Sequence, residues 1–81
     1  MQVNAERIME RIQDLAQFNA TPGQGITRFS YSPQDAQARA YLMEQFRELG
    51  LTVRVDPMGN IRARYDGTDP ALAPLWIGSH I

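Results

Sequence analysis

The stretch of sequence that decides the fold, residues 32–55, reads SPQDAQARAYLMEQFRELGLTVRV. It opens with a helix start, because Ser32 suits the N-cap position and Asp35 completes a capping box with it. Gly50 then suits the left-handed position that ends a helix in a Schellman motif. Directly afterwards, apolar residues alternate with polar ones over residues 51–55, a period typical of a strand. The stretch therefore predicts a helix that leads straight into a sheet.

Another helix is predicted upstream, over residues 4–18. Asn4 is its candidate N-cap, and Glu6 lies in the first turn, where a negative charge complements the helix dipole. Apolar residues recur there every three or four positions, so they form one face of the helix. These apolar residues are Ala5, Ile8, Ile12 and Leu15.

Residues 61–65 alternate in the same way as residues 51–55, and the proline and glycine within residues 56–60 suit a short hairpin turn between them. Residues 75–77, Leu-Trp-Ile, are continuously apolar, as in a central strand that is buried on both faces. The predicted fold class is α/β, with two amino-terminal helices and then three strands, and without an internal domain boundary. The predicted core comprises Ile8, Ile12, Leu15, Leu42, Phe46, Val53, Val55, Trp76 and Ile77.

Two features of the sequence have more than one interpretation. Gly23 and Gly25 lie between the helices, but they lack the third glycine and the preceding strand of a dinucleotide site. This segment is therefore either a connecting loop or a loop that binds phosphate. Three arginines share the polar face of the hairpin, where they form either an anion-binding patch or a solvated sheet face. They are Arg54, Arg62 and Arg64.

The composition argues against several classes of function. The 81 residues carry a net charge of -1 and a pI near 5.7, which provides no basic surface for nucleic acid or anionic lipid. All eight basic residues are arginine, so this sequence has no Walker-type, Schiff-base or pyridoxal-phosphate lysine. It has no cysteine, hence no disulfide and no thiolate-held zinc. No signal peptide or membrane span is recognisable, and we expect a cytoplasmic protein.

The only histidine, His80, lies in the stretch Trp76-Ile77-Gly78-Ser79-His80-Ile81. In open α/β folds, ligands and metals gather beyond the carboxyl ends of strands. A lone imidazole there is either a metal ligand or catalytic base, or a structural histidine that caps the strand end. Gly-Ser-His also occurs as a cloning remnant, which gives a third interpretation.

Five motifs occur together along the chain. They are Gly25-Ile26-Thr27-Arg28, Tyr31-Ser32-Pro33, Leu49-Gly50-Leu51, Asp56 with Gly59-Asn60, and Ile77-Gly78-Ser79-His80-Ile81. Together they resemble the amino-terminal part of the hydantoinase/carbamoylase group of amidohydrolases, which act on N-carbamoyl compounds and belong to the M20 metallopeptidase clan. This group includes allantoate amidohydrolase, N-carbamoyl-L-amino acid hydrolase and ureidoglycolate amidohydrolase.

The resemblance implies that residues 1–81 are the truncated, amino-terminal part of a single mixed-sheet catalytic domain, with a lid and dimerisation domain elsewhere. It implies two divalent metal ions, usually zinc and sometimes manganese, cobalt or nickel, with His80 as a ligand to one of them. It also implies an aspartate after Ile81 that supports this ligand, with the catalytic base and further ligands in later segments. A homodimer is expected of the full-length protein, and no activity of the 81 residues alone.

The leading hypothesis is a binuclear metal-dependent amidohydrolase that cleaves ureido or N-carbamoyl C–N bonds and releases ammonia and carbon dioxide. Its expected substrate is a small ureido compound, allantoate or an N-carbamoyl-L-amino acid. One alternative is an M20-type metallopeptidase or deacylase. Another is a non-catalytic αβ module that binds a partner through the strand edge at residues 75–77. Arg28 and Tyr31 either border the substrate pocket or pack within their loop.

Overall fold

The computed structural model describes residues 2–81, which form two helices and one two-stranded antiparallel sheet. The bounds are Ala5–Ala16 for α1, Pro33–Glu48 for α2, Thr52–Val55 for β1 and Ile61–Arg64 for β2. The α/β class and the order of these four elements are confirmed. The chain divides into two compact units, residues up to 41 and residues from 42 onwards. Within the described range, no helix is both long and apolar enough to cross a membrane.

In the first unit, side chains satisfy both ends of α1. The Asn4 Oδ1 atom accepts a hydrogen bond from the Arg7 N–H at 3.0 Å, as expected of an N-cap. At the other end, Arg28 Nη2 donates to the Leu15 carbonyl at 2.6 Å, and Arg28 Nε donates to the Phe18 carbonyl at 3.0 Å. A cation suits this end because the last carbonyls lack helical partners and carry partial negative charge.

One side chain, Asn19, organises the loop between the helices. Its Oδ1 atom accepts hydrogen bonds from Thr21 N at 3.0 Å and Thr27 N at 2.8 Å, and its Nδ2 atom donates to the Gly25 carbonyl at 2.7 Å. The Thr21 and Thr27 hydroxyls lie 2.7 Å apart, and Ala20 N donates to the Thr27 carbonyl. An asparagine side chain offers both a donor and an acceptor, so it replaces backbone partners that the loop lacks.

The start of α2 differs from the expected capping box in one hydrogen bond. Ser32 Oγ accepts from Asp35 N at 3.1 Å, as predicted. The Asp35 carboxylate, however, accepts from Tyr31 N at 3.0 Å, because Ser32 N already donates to the Phe29 carbonyl. The Asp35 bond holds Tyr31 at a φ of 67°, a left-handed conformation that costs a residue with a side chain roughly 1 kcal/mol.

Tyr41 joins α2 to the end of α1 within the first unit. Its hydroxyl donates to Asp14 Oδ2 at 2.8 Å, and its ring centroid lies 5.7 Å from that of Phe18. Partial burial and the Asp14 carboxylate both disfavour the phenolate, so the pKa of Tyr41 is raised above its ordinary value of 10.0. Ala38, one turn earlier on α2, is the only fully buried hydrophobic side chain in the described residues.

In the second unit, α2 ends in the predicted Schellman motif. Gly50 has a φ of 80°, a conformation that glycine adopts without a steric cost. Its N–H donates to the Arg47 carbonyl at 2.9 Å, and the Leu51 N–H donates to the Phe46 carbonyl at 3.0 Å. This pair of bonds defines the motif, and the chain enters β1 directly after it.

β1 and β2 form the predicted hairpin. They pair antiparallel, with Arg54 opposite Arg62 and Val55 opposite Ile61. Side chains alternate between the two faces of a strand, and directly opposed residues share a face. The register therefore places Arg54, Arg62 and Arg64 on one face, as the sequence predicts.

The predicted third strand is not formed in the described residues. Residues 75–77 pair with no strand there, and Leu75 and Ile77 are each 92% exposed. A strand needs a hydrogen-bonding partner, and one that is apolar on both faces needs cover on both. Within residues 2–81 neither is present, because the sheet consists of β1 and β2 alone.

The predicted core is only partly covered. Five of its residues are exposed, namely Ile8, Ile12, Val55, Trp76 and Ile77. The other four are half-buried, namely Leu15, Leu42, Phe46 and Val53. Helices and sheets bury their apolar faces against a second layer of structure. A two-stranded sheet is too small to provide that layer, which is why the sequence pattern overestimates burial here.

Replacing Asn19 with alanine should loosen its loop. The Thr21 and Thr27 amides would lose their shared acceptor, a loss of roughly 1 to 3 kcal/mol, so their exchange rates should rise by about tenfold or more. Amide hydrogen exchange followed by NMR measures this, with Gln24→Ala in the same loop as the control. Unchanged protection of both threonine amides in Asn19→Ala would contradict the role given to this side chain.

Candidate functional site

His80 lies in the histidine segment, residues 73–81, which follows the hairpin and has no regular secondary structure. Its ring is exposed and makes no hydrogen bond or ion pair with any residue from 2 to 81. A histidine that caps a strand end would be hydrogen bonded to it, and no such partner occurs in the described range. Both ring nitrogens are therefore open to a ligand.

The Asp56 carboxylate organises the hairpin turn, residues 56–60. Arg62 connects this turn to the histidine segment. The Asp56 Oδ1 atom accepts from Met58 N at 3.0 Å and Asn60 N at 2.9 Å, and its Oδ2 atom accepts from Asn60 Nδ2 at 3.0 Å. Arg62 Nη2 lies 3.2 Å from the same Oδ2 atom. The hydrogen bonds from Asn60, followed by that from Met58 and the charge of Arg62, hold the pKa of Asp56 below its ordinary value of 3.8.

Arg62 links this turn to the histidine segment. Its guanidinium carbon lies 5.4 Å from the ring centroid of Trp76, within the range of a cation–π contact. Arg62 thus contacts a carboxylate and an indole at once. His80 follows four residues after Trp76.

The arginine face of the hairpin is partly neutralised. Arg62 pairs with Asp56, and Arg64 Nε donates to Asp66 Oδ1 at 2.8 Å, an exposed ion pair. Arg54 remains exposed to solvent. These pairings favour the solvated sheet face over the anion-binding patch. The face borders an open concavity lined by the hairpin and residues 65–76, and His80 lies outside it.

No group of three histidine, cysteine, aspartate or glutamate side chains close enough to hold a metal ion occurs among the described residues. His80 is the one imidazole of the sequence, and a site with three such donors at His80 would need donors from outside residues 2–81. A neutral imidazole is a common ligand for zinc and other transition metals. The donor chemistry fits one position of a metal site and does not complete it.

The other sequence-based candidates fall outside this segment. Arg28 is occupied by the carbonyls at the end of α1, so loop packing accounts for it. The Tyr31 side chain is 96% exposed, and its backbone is held by Asp35. The loop of Gly23 and Gly25 is closed by the Asn19 hydrogen bonds and by the bond from Gln24 N to the Thr21 carbonyl, which favours a connecting loop.

Two features of the structure have no counterpart in the sequence-based prediction. The role of Asn19 spans eight residues of the loop, although an asparagine at a helix end, two residues before a threonine, signals such a motif. The link from Asp56 through Arg62 to Trp76 joins three elements. The only sign of this link in the sequence is an aspartate before a proline-glycine turn, with an asparagine four residues after it.

Comparison with known proteins identifies relatives along the whole chain. The chain is 45% identical over 76 residues to the N-carbamoyl-L-amino-acid amidohydrolase of Paenarthrobacter aurescens, covering 94% of the chain and 18% of the relative. It is 37% identical over 81 residues to the ureidoglycolate hydrolase of Arabidopsis thaliana, covering 100% of the chain and 17% of the relative. It is 33% identical over 76 residues to the allantoate amidohydrolase of Escherichia coli, covering 94% and 18%. No family model matches.

The solved structure of AtUAH in complex with glyoxylate has the same fold over most of the chain. The TM-score is 0.82 at 36% identity, covering 89% of this chain and 17% of that one. The chain is thus homologous, over nearly its whole length, to part of proteins named as amidohydrolases and ureidoglycolate hydrolases. The resemblance recognised from the sequence motifs is thereby confirmed. Since the Arabidopsis thaliana relative aligns over all 81 residues, the histidine segment is homologous sequence, which disfavours a cloning remnant.

The chain spans less than one fifth of the length of these relatives. Large apolar side chains of α1 and of the histidine segment are exposed within the described residues.

The pKa of Asp56 should respond to Asn60, its largest hydrogen-bonding influence. Because the folded-state pKa is lowered, ionised Asp56 stabilises the turn above pH 3.8, and this contribution is lost as the pH falls through the lowered pKa. Asn60→Ala should raise the Asp56 pKa towards 3.8, as measured by NMR titration of carboxyl carbon shifts. Met58→Ala keeps the backbone N–H and should leave the pKa unchanged. Equal Asp56 pKa values in wild type and Asn60→Ala would refute this account.

Proposed function

We propose that the chain is the amino-terminal part of a single catalytic domain of a metal-dependent amidohydrolase for ureido compounds. The full-length protein would hydrolyse the C–N bond of a ureido or N-carbamoyl group and release ammonia and carbon dioxide. The observation that carries the proposal is the 45% identity, over 94% of the chain, with an N-carbamoyl-L-amino-acid amidohydrolase.

His80 would be the contribution of this chain to a site for two divalent metal ions. Its exposed ring, with no competing partner in residues 2–81, supports that role. A neutral imidazole would donate one nitrogen to the metal, and a carboxylate just after Ile81 would orient the ring through the other nitrogen. Bound metal ions supply a polarised substrate carbonyl and an acidified water. Zinc is the first metal to test, before manganese, cobalt and nickel.

The proposed substrates are allantoate and N-carbamoyl-L-amino acids. Relatives with both of these names match nearly the whole chain, as do relatives named ureidoglycolate hydrolase. All three substrate classes carry a terminal ureido group, and this group is the proposed target of hydrolysis. A full-length homodimer located in the cytoplasm is proposed on the same family grounds.

The non-catalytic module is the weaker hypothesis. A fully covered sheet and an apolar environment around His80 would favour it. Instead, the strands are largely exposed and the histidine has no partner within residues 2–81. A peptidase or deacylase with the same kind of metal site differs from the leading proposal in its substrate alone.

The full-length protein, expressed from the reading frame that contains this chain, should release ammonia from N-carbamoyl-L-amino acids or allantoate. It should leave dipeptides intact. Peptide cleavage releases no ammonia, so the two activities can be told apart by their products. An ammonia assay run beside a dipeptide-cleavage assay measures both. The reading frame should also continue past Ile81 with an acidic residue.

His80→Ala should lower the affinity for zinc by more than about tenfold, since loss even of an outer partner of a metal site costs that much. Zinc bound after dialysis against a chelator provides the measurement, with Gln24→Ala as the control.

Dipeptide cleavage without ammonia release would favour the peptidase, and a stop codon directly after Ile81 would contradict the amidohydrolase proposal altogether.

A further inference from the structure

We infer that Arg62 is a positioning residue for His80, which it holds in place through a cation–π contact with Trp76. The inference rests on the proposed function, in which His80 binds a metal ion. It assigns a role to two side chains that are distant in sequence and that do not themselves contact the metal.

The histidine segment has a single specific attachment to the rest of the described chain. Among residues 73–81, Trp76 alone makes a hydrogen bond, an ion pair or a ring contact with another described residue. Its partner is Arg62, at 5.4 Å from guanidinium carbon to ring centroid. Within residues 2–81, the Arg62–Trp76 contact is therefore the specific interaction that holds this segment against the hairpin.

Arg62 is itself held by the turn. Its Nη2 atom lies 3.2 Å from Asp56 Oδ2, and that carboxylate is 13% exposed and fixed by Asn60 and by the Met58 N–H. The hairpin turn thus holds the Arg62 guanidinium, and this guanidinium contacts the Trp76 indole. Four residues span at most about 14 Å, so a fixed Trp76 restricts where the His80 ring can lie.

Arginine suits this double contact better than lysine does. A planar guanidinium can stack on an aromatic ring while its N–H groups meet a carboxylate, whereas an ammonium is a compact, strongly hydrated point charge. A metal ligand must be held within about 0.5 Å of its binding geometry by the residues around it. An arginine that fixes the path of the chain just before the ligand meets that requirement.

Arg54 provides a matched control within the same sheet. It lies directly opposite Arg62 in the register and on the same face. Its side chain makes no hydrogen bond, ion pair or ring contact with another described residue. Replacing it removes the same charge from the same surface without touching the attachment of the histidine segment.

The test measures zinc dissociation constants of the full-length protein by competition with a chelator. Arg62→Gln and Trp76→Leu should each weaken zinc binding by about tenfold, the effect typical of residues that orient a metal ligand. The double variant should bind as weakly as either single variant, because both changes remove one contact. Arg62→Lys and Trp76→Phe should restore part of the affinity, and Arg54→Gln should match the wild type.

The outcomes separate this inference from the proposal on which it rests. Wild-type zinc affinity in Arg62→Gln, an equal loss in Arg54→Gln, or additive losses in the double variant would overturn the positioning role. If His80→Ala alone loses zinc, only the positioning role fails. If His80→Ala keeps wild-type affinity, the metal-binding proposal fails. Should Arg62→Gln not fold, a comparison of Arg62→Lys with Arg54→Lys decides the question.

Discussion

The second unit depends on the interactions that the Asp56 carboxylate makes. This carboxylate accepts three hydrogen bonds within a five-residue turn and pairs with Arg62 on the strand that follows. The turn sets the register of the hairpin, and the register sets which arginine lies beside the histidine segment. A carboxylate satisfied in this way is ionised over the physiological pH range, since its pKa is lowered. One side chain thereby connects local turn chemistry to the placement of a candidate metal ligand.

Apolar surface that the chain leaves exposed has a simple physical explanation. Ala38 alone is a fully buried hydrophobic residue in the described range, while large side chains such as Trp76 and Ile77 are mostly exposed. A chain of 81 residues buries only about 60% of its unfolded surface even when it forms a complete domain. This one covers less than one fifth of its relatives. In the proposed full-length protein, the remaining chain would cover α1 and supply strand partners for residues 75–77.

Elements specified by nearby residues could be predicted from the sequence. Ser32 and Gly50 fix the two ends of α2 through bonds that reach no further than five residues, and both ends are confirmed. The third strand is predicted from its apolar residues but is not formed in the described residues, because a strand also needs a partner strand. The proposed metal binding at His80 would likewise depend on donors outside the described residues. The Arg62–Trp76 contact joins residues 14 positions apart, and no local sequence pattern predicts it.

Diffraction from crystals of the full-length protein, recorded at the zinc absorption edge, tests the central claim most directly. The account predicts an anomalous peak within bonding distance of a His80 ring nitrogen, about 2.0 to 2.1 Å. It also predicts that Arg62 keeps its place over the Trp76 ring while the metal is bound. A zinc ion held by other residues, with the His80 ring turned away from it, would contradict the account.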